Sequence, residues 1–334
     1  MTFARWQPPP SHRTAATDEV ESFAIGCDGT RLYVRRRPGP AGAEDAPTVV
    51  LCDGVLCDGF VWKYLWDDLA ALGPVAHWHY RGHGRSGAPH DPARVEMTDF
   101  AADLDAVRHH LGDPPVVLVG HSMGVQVSLE AYRLRRDKVA ALILCCGAPG
   151  RVTETFHGTN HLARWLPKIL AFVTTHSELA RALWSRVPAE LSLRLSYLLK
   201  EVDVDNMRRE DLLPYLRHMT HVDFALFVQL LRAAGEHTAE DLLPDIAVPT
   251  LVVAAERDTF TPPELARAMA QTIPGGQFYL LEGGSHAAPI EQPDLLRVRV
   301  GKFLREVRAS SAPPVSAPVV ASPGRPPAKR ATRR

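Results

Sequence analysis

A doubly wound, mostly parallel α/β sheet with an inserted all-helical cap is the fold class this sequence predicts, on three observations. Short continuous apolar runs recur at residues 48–51, 116–119, 139–145 and 250–255, as strands buried on both faces require. Between them lie stretches with apolar residues at helical spacing, joined by short glycine-rich turns, which is the alternation of a parallel sheet. That rhythm stops from about Gly147 to Asp245, where helix-like blocks carry many large apolar residues and no strand is convincing.

Taken in order, residues 1–19 include Pro8-Pro9-Pro10 and read as a flexible leader without the apolar centre of a signal peptide. Residues 20–25 and 31–34 alternate in polarity around Gly26-Cys27-Asp28-Gly29, an opening hairpin with an Asp-Gly turn. The buried run 48–51 ends in Cys52-Asp53-Gly54-Val55 and is followed by a helix expected from Phe60 to Leu72. A strand over 75–80 ends in Arg81-Gly82-His83-Gly84-Arg85-Ser86, and residues 97–111 place Phe100, Leu104, Val107 and Leu111 on one helical face. Pro114-Pro115 then resets the chain into the run 116–119. After the all-helical stretch come the strand 250–255, a helix over 263–272, a strand over 277–281 and a closing helix over 293–307. The expected division is therefore a core of residues 20–147 and 246–308, a cap of 148–245, and a basic Pro/Ala-rich tail of 309–334 that cannot order itself by burial.

Composition narrows the function classes. A chain of 334 residues with 46% apolar content can bury a large core. The formal net charge is zero, so no global field draws in nucleic acid. The five cations of the tail, Arg325, Lys329, Arg330, Arg333 and Arg334, have no acid among them. Five cysteines without framework spacing fit reduced thiols and a cytoplasmic location. The longest apolar runs fall far short of the roughly 20 residues that span a bilayer, so a soluble protein without stable membrane insertion is expected. Nothing in the sequence sets an oligomeric state.

The chemistry centres on Gly120-His121-Ser122-Met123-Gly124, which follows an apolar run and opens a helical pattern. This Gly-x-Ser-x-Gly match alone arises by chance in roughly one chain in ten of this length. Its strand-turn-helix context is that of a nucleophile elbow, in which the serine sits on a turn so tight that its flanking glycines avoid backbone collision. A serine hydroxyl becomes a useful nucleophile only beside a base, and the base in turn needs an acid to fix its tautomer. Glu256 and Asp258 follow one strand, and His286 follows the next in a Gly283-Gly284-Ser285-His286 loop. His77-x-His79 with His83 lacks the acid that a metal-binding run wants at Arg81 and Gly82, Cys52 and Cys57 lack a second ligand pair, and no phosphate-binding glycine loop appears, so no metal and no cofactor is expected.

These residues carry a resemblance. Gly120-His121-Ser122-Met123-Gly124, then Glu256-Arg257-Asp258-Thr259-Phe260-Thr261-Pro262, then Gly283-Gly284-Ser285-His286, together with Gly82-His83-Gly84-Arg85-Ser86, resemble the α/β-hydrolase family, in its capped serine-nucleophile subgroup of esterase, lipase and haloperoxidase type. The resemblance covers about residues 20–308. It implies Ser122 as nucleophile, His286 as base and Asp258 rather than Glu256 as its orienting acid. It also implies an oxyanion hole made of the backbone N–H groups of Met123 and Val55. Many relatives carry His-Gly where this chain has Asp53-Gly54, and Asp53 is expected to be held in a hydrogen-bond network rather than to act in catalysis. The implied function is hydrolysis of an ester-like bond of a small hydrophobic substrate through an acyl-enzyme. Carbon-carbon bond hydrolysis, lactone hydrolysis and cofactor-free perhydrolysis use the same parts, and a receptor-like binding role is the non-enzyme alternative. Apolar cap residues are expected mostly to pack the cap. Those expected at the substrate pocket are Trp62, His121, Phe156, Trp165, Phe224 and Phe227.

Overall fold

A computed structural model describes residues 18–199 and 201–311. The expected leader through residue 17 and the expected tail from residue 312 lie outside them. Eight strands form one sheet: β1 (Val20–Ile25), β2 (Arg31–Arg37), β3 (Thr48–Cys52), β4 (Val75–Trp78), β5 (Val116–His121), β6 (Val139–Cys145), β7 (Thr250–Ala255) and β8 (Gln277–Leu281). Their spatial order is β1-β2-β4-β3-β5-β6-β7-β8, parallel from β4 to β8, with the opening hairpin antiparallel at one edge.

Side-chain alternation along the strands builds two cores. In β5, Val117 and Val119 face the layer of α1 (Trp66–Leu72) and α12 (Pro293–Ser311), where Leu69, Val300 and Phe303 are buried. Val116 and Leu118 face the opposite layer of α2 (Met97–His110), α3 (Met123–Leu134) and α10 (Pro263–Thr272), with Phe100, Val127 and Met269. The helix α2 starts at a reciprocal capping box between Glu96 and Asp99. Between β4 and α2 the fully buried Arg81 donates to both carboxylate oxygens of Asp103, at 2.8 and 2.7 Å, and lies 3.0 Å from Asp28. This bidentate pair ties the glycine-rich turn to α2 and to the opening hairpin.

Two expectations change here. The helix expected from Phe60 to Leu72 is divided: Gly59 adopts φ 90°, Phe60–Trp62 form a 3-10 turn, and the α-helix begins only at Trp66. The strand expected to reach Tyr80 stops at Trp78. The other core elements fall where the periodicity placed them to within a residue or two, except that β2 runs three residues past the expected end, to Arg37, the closing helix runs four past it, to Ser311, and a short α11 (Ala288–Glu291) precedes that helix.

Between β6 and β7 the described residues form helices only: α4 (Val152–Thr155), α5 (His161–Thr175), α6 (Ser177–Trp184), α7 (Ala189–Leu198), α8 (Arg209–Met219) and α9 (Phe224–Glu236), with 3-10 turns at Phe156–Gly158 and Glu240–Asp245. Their packing is partial. Leu166 and Val173 of α5 meet Val228 of α9, and Leu193 of α7 meets Leu212 and Leu216 of α8. Most of the large apolar residues of this stretch are buried or half-buried, but Trp165, Leu183, Leu198 and Leu199, together with other apolar residues of α5 to α7, remain exposed. Among the described residues no helix is long and apolar enough to cross a membrane.

Candidate active site

Strand register brings the site together. In β3 and β5, Cys52 lies opposite Gly120, so the Gly54-Val55 loop leaves the sheet beside Ser122. In β7 and β8, Ala255 lies opposite Leu281, so Asp258 and the loop ending at His286 leave the sheet side by side. Ser122 itself sits at φ 56°, ψ −120°, a conformation that non-glycine residues avoid, between β5 and the first turn of α3. The flanking glycines make that turn possible. A Cβ on Gly120 would stand 2.3 Å from the Gly124 carbonyl oxygen, and one on Gly124 would stand 2.2 Å from that of Cys52.

Ser122, His286 and Asp258 form a hydrogen-bonded line. The Ser122 hydroxyl donates to His286 Nε2 at 2.9 Å, and His286 Nδ1–H donates to the Asp258 carboxylate, 3.0 Å from Oδ1 and 2.9 Å from Oδ2. Asp258 is buried and held by the N–H groups of Phe260 and Thr261 at 2.9 and 2.8 Å and by the Thr261 hydroxyl at 2.8 Å. Phe260 stacks on the His286 ring with centroids 4.8 Å apart. Glu256, by contrast, is exposed and accepts from the Gly283 N–H, away from this line.

Val55 and Met123 flank Ser122 on the wall of a cavity of ≈ 420 Å³ that lies between sheet and cap. Among the described residues no acceptor engages the N–H of either, so both donors are free to face a ligand. His121, Phe156 and Phe227 line the same cavity. Its walls are largely apolar, with Leu212, Leu216, Met219 and Leu230 from the cap helices, and they include Glu201 but no Lys or Arg among the described residues. Three expected pocket residues lie elsewhere. Trp62 is fully buried behind the loop, because its indole N–H donates to Asp53 Oδ1 at 2.8 Å. Phe224 turns away to stack on Trp184 at 4.8 Å, and Trp165 points outward on α5 with 58% of its surface exposed.

Behind the Asp53-Gly54-Val55-Leu56 loop lies a buried polar set that the motifs do not reveal. Asp53, 0% exposed, accepts from Trp62 and, at Oδ2, from His77 Nε2–H at 2.9 Å. The Asp53 carbonyl accepts the Tyr80 hydroxyl at 2.9 Å. His83 donates from Nδ1 to the Arg81 carbonyl at 2.9 Å, leaving Nε2 to accept the Leu56 N–H at 3.2 Å. The loop that carries Val55 is thus pinned on both sides. Asp53 is not on the cavity wall: its carboxyl oxygens are turned to Trp62 and His77 behind the loop. His121 adds a further tie, donating Nε2–H to the His286 carbonyl at 2.9 Å; burial, and then the neighbouring His286, hold it neutral with a pKa of about 3.

Burial pushes the Asp53 carboxyl up from 3.8 to about 7, and burial together with the charge of Asp53 pushes Asp58 up to about 7. Burial pushes His77 well below its ordinary value, so the Asp53–His77 contact is a hydrogen bond to a neutral imidazole rather than an ion pair. Because the folded-state value of Asp53 is raised, the folded protein keeps a proton that the unfolded chain releases near pH 4. Its contribution to stability is full below about pH 4 and is lost as pH rises through about 7. Asp53→Asn, which keeps an acceptor for Trp62, is expected to flatten the fall in urea midpoint between pH 5 and pH 8. An unchanged midpoint difference between those two pH values would contradict this.

With the geometry in place, comparison with known proteins gives the family. A family model described as alpha/beta hydrolase fold matches residues 47–293, well over half of the chain. The chain belongs to the α/β-hydrolase fold family. This α/β-hydrolase is 27% identical over 270 residues to the putative carbamate hydrolase RutD of Klebsiella pneumoniae, over 78% of this chain and 92% of that one. It is 38% identical to lipase LipV of Mycobacterium tuberculosis over 115 residues, 34% of this chain and 40% of the other. A thermophilic esterase from Thermogutta terrifontis matches its fold with a TM-score of 0.67 at 24% identity, over 87% of this chain and 99% of that one. The enol-lactonase of Burkholderia xenovorans matches with a TM-score of 0.67 at 24% identity, over 85% and 100% of the two chains.

Among functional residues, sequence reasoning missed Thr261, Phe260, His83 and Tyr80. Thr261 had a signal: an aspartate followed by backbone donors two and three residues on is an Asx-type turn, and Asp258-Thr259-Phe260-Thr261 fits it. The same turn marks the Phe260 N–H, whereas the stacking of its ring on His286 and the contacts of His83 and Tyr80 had no signal, because they exist only once separate segments are brought together.

Proposed function

We propose that this α/β-hydrolase cleaves the ester-like bond of an uncharged, hydrophobic substrate through an acyl-enzyme. Ser122 attacks the carbonyl carbon as His286 Nε2 takes the hydroxyl proton. The N–H groups of Val55 and Met123 donate to the oxyanion, and His286 then returns the proton to the leaving alcohol. Asp258 holds the His286 tautomer and balances the imidazolium. Water then repeats the sequence with the acyl group on Ser122 as electrophile, and the acid leaves. The observation that carries this reading is the Ser122–His286–Asp258 line, with contacts of 2.9 and 2.9–3.0 Å, at the wall of an apolar cavity of ≈ 420 Å³.

The substrate preference rests on the wall chemistry. An anionic substrate would meet Glu201 and no Lys or Arg among the described wall residues, whereas leucine, methionine and phenylalanine side chains favour burial of a hydrocarbon acyl or alkoxy group. For the same reason a hydrophobic ester fits better than an anionic carbamate, although curated relatives carry the carbamate hydrolase name. The test is a series of nitrophenyl esters of graded acyl length, with lactones alongside. Expected is a rise in kcat/KM of roughly 10- to 15-fold per two added methylenes up to the capacity of the cavity, since each fully buried methylene is worth about 0.8 kcal/mol. Turnover confined to acetyl or anionic substrates would count against the reading.

A further inference from the structure

Among the described residues, nothing covers much of the outward faces of α5, α6 and α7. Among the described residues, nine of the fifteen large apolar side chains that stand exposed lie between positions 165 and 199. They fall at helical spacing. On α5, Trp165 and Phe172 are two turns apart; on α6, Leu179 and Leu183 are one turn apart. On α7, Leu191, Leu195 and Leu198 form a stripe along the whole helix, and Leu198 is 76% exposed. The inward residue Leu193 of the same helix is buried, so α7 is amphipathic with two apolar edges, and one of them meets only solvent. Apolar surface gathered on this scale marks an interaction site rather than the scatter of single exposed leucines that any protein shows.

The polar residues between these stripes are basic. Positions 161–199 hold Arg164, Lys168, Arg181, Arg186 and Arg194 against Glu178 and Glu190. Glu178 pairs with Arg181, and Glu190 with Arg209 of α8. Arg164, Lys168, Arg186 and Arg194 have no acidic partner among the described residues. Lys168 lies 4.5 Å from the centre of the Trp165 ring, with the indole and the ammonium on the same outer face. Exposed tryptophan and leucine interleaved with lysine and arginine are the composition of a helix that lies in the headgroup region of an anionic lipid surface.

We propose that the outer face of α5, α6 and α7 docks this protein on an anionic lipid surface. Apolar side chains enter the acyl boundary while Arg164, Lys168, Arg186 and Arg194 meet lipid phosphates. The helices are too short and too charged to cross the bilayer, so the attachment is peripheral and reversible. A second copy of the chain is a poorer occupant, because two such faces would bring like charges together. Leu162 of α5 and Ser196 of α7 also line the cavity beside Ser122, so two of the docked helices border the proposed substrate site.

The test is co-sedimentation of the full chain with phosphatidylcholine vesicles, with and without phosphatidylglycerol. Selective binding to the phosphatidylglycerol vesicles that weakens at roughly 0.5 M salt is expected. The triple variant Leu191→Ser, Leu195→Ser, Leu198→Ser is expected to lose about 10-fold or more of that partitioning. Its turnover of a water-soluble nitrophenyl ester should stay within about 2-fold, since these are exposed positions. A second variant, Arg164→Glu, Lys168→Glu, Arg194→Glu, should lose the preference for phosphatidylglycerol with the leucines intact. Binding unchanged in both variants would overturn the proposal, as would a dimer in sedimentation velocity that the serine substitutions dissolve. The binding readout uses no substrate, so its failure is distinct from a failure of the serine chemistry.

Discussion

Ser122→Ala is expected to reduce kcat for a nitrophenyl ester by about 10⁴–10⁶-fold, with KM little changed. The size of the effect follows from what the hydroxyl does. In the proposed reaction it supplies the atom that bonds to the carbonyl carbon, and His286 has no other nucleophile at 2.9 Å from Nε2 among the described residues. Alanine fits the same strained turn, because the constraint at φ 56° falls on backbone and Cβ alike in both residues. The fold should therefore persist, and an unchanged far-ultraviolet spectrum and urea midpoint would confirm that the loss is chemical. Residual activity at a tenth of the parent value or more would remove Ser122 from the reaction.

Asp258→Asn is expected to lower kcat by about 10⁴-fold. The carboxylate accepts His286 Nδ1–H, and its other lone pairs take the N–H groups of Phe260 and Thr261 and the Thr261 hydroxyl. An asparagine amide turned toward His286 offers either N–H, which forces the proton onto Nε2, or a carbonyl that stabilises the imidazolium far less. With Nε2 protonated, the Ser122 hydroxyl has no base. Glu256 cannot substitute from its place on the Gly283 N–H, so Glu256→Ala should change kcat/KM by less than about 2-fold. Comparable losses in both variants would mean that Asp258 acts through local folding rather than through the imidazole.

The residues of the proposed site were legible because each sits at the carboxyl end of a strand whose own sequence is unambiguous. Continuous β-branched runs admit little besides a buried parallel strand, and the short turns after them leave few places for Ser122, Asp258 and His286. Which way an aromatic side chain points is not written in composition. Trp62 and Trp165 looked alike as pocket candidates, yet one was drawn behind the Asp53 loop by a carboxylate and the other stands on the outer face of an amphipathic helix. The helix expected from Phe60 gave way for a similar reason, since Gly59 in the left-handed region and a 3-10 turn deliver the Trp62 indole to Asp53. The His77, Tyr80 and His83 contacts to the same loop depend on β3 and β4 pairing in register, Leu51 opposite His77, which no local pattern encodes.

The central claim is that Ser122 is the residue acylated during turnover. Incubation with a fluorophosphonate probe, followed by digestion and mass mapping, tests it directly. One adduct is expected, on the peptide carrying Ser122, absent from Ser122→Ala and slowed by a hydrophobic ester competitor. An unlabelled parent protein, or an adduct that persists in Ser122→Ala, would contradict it.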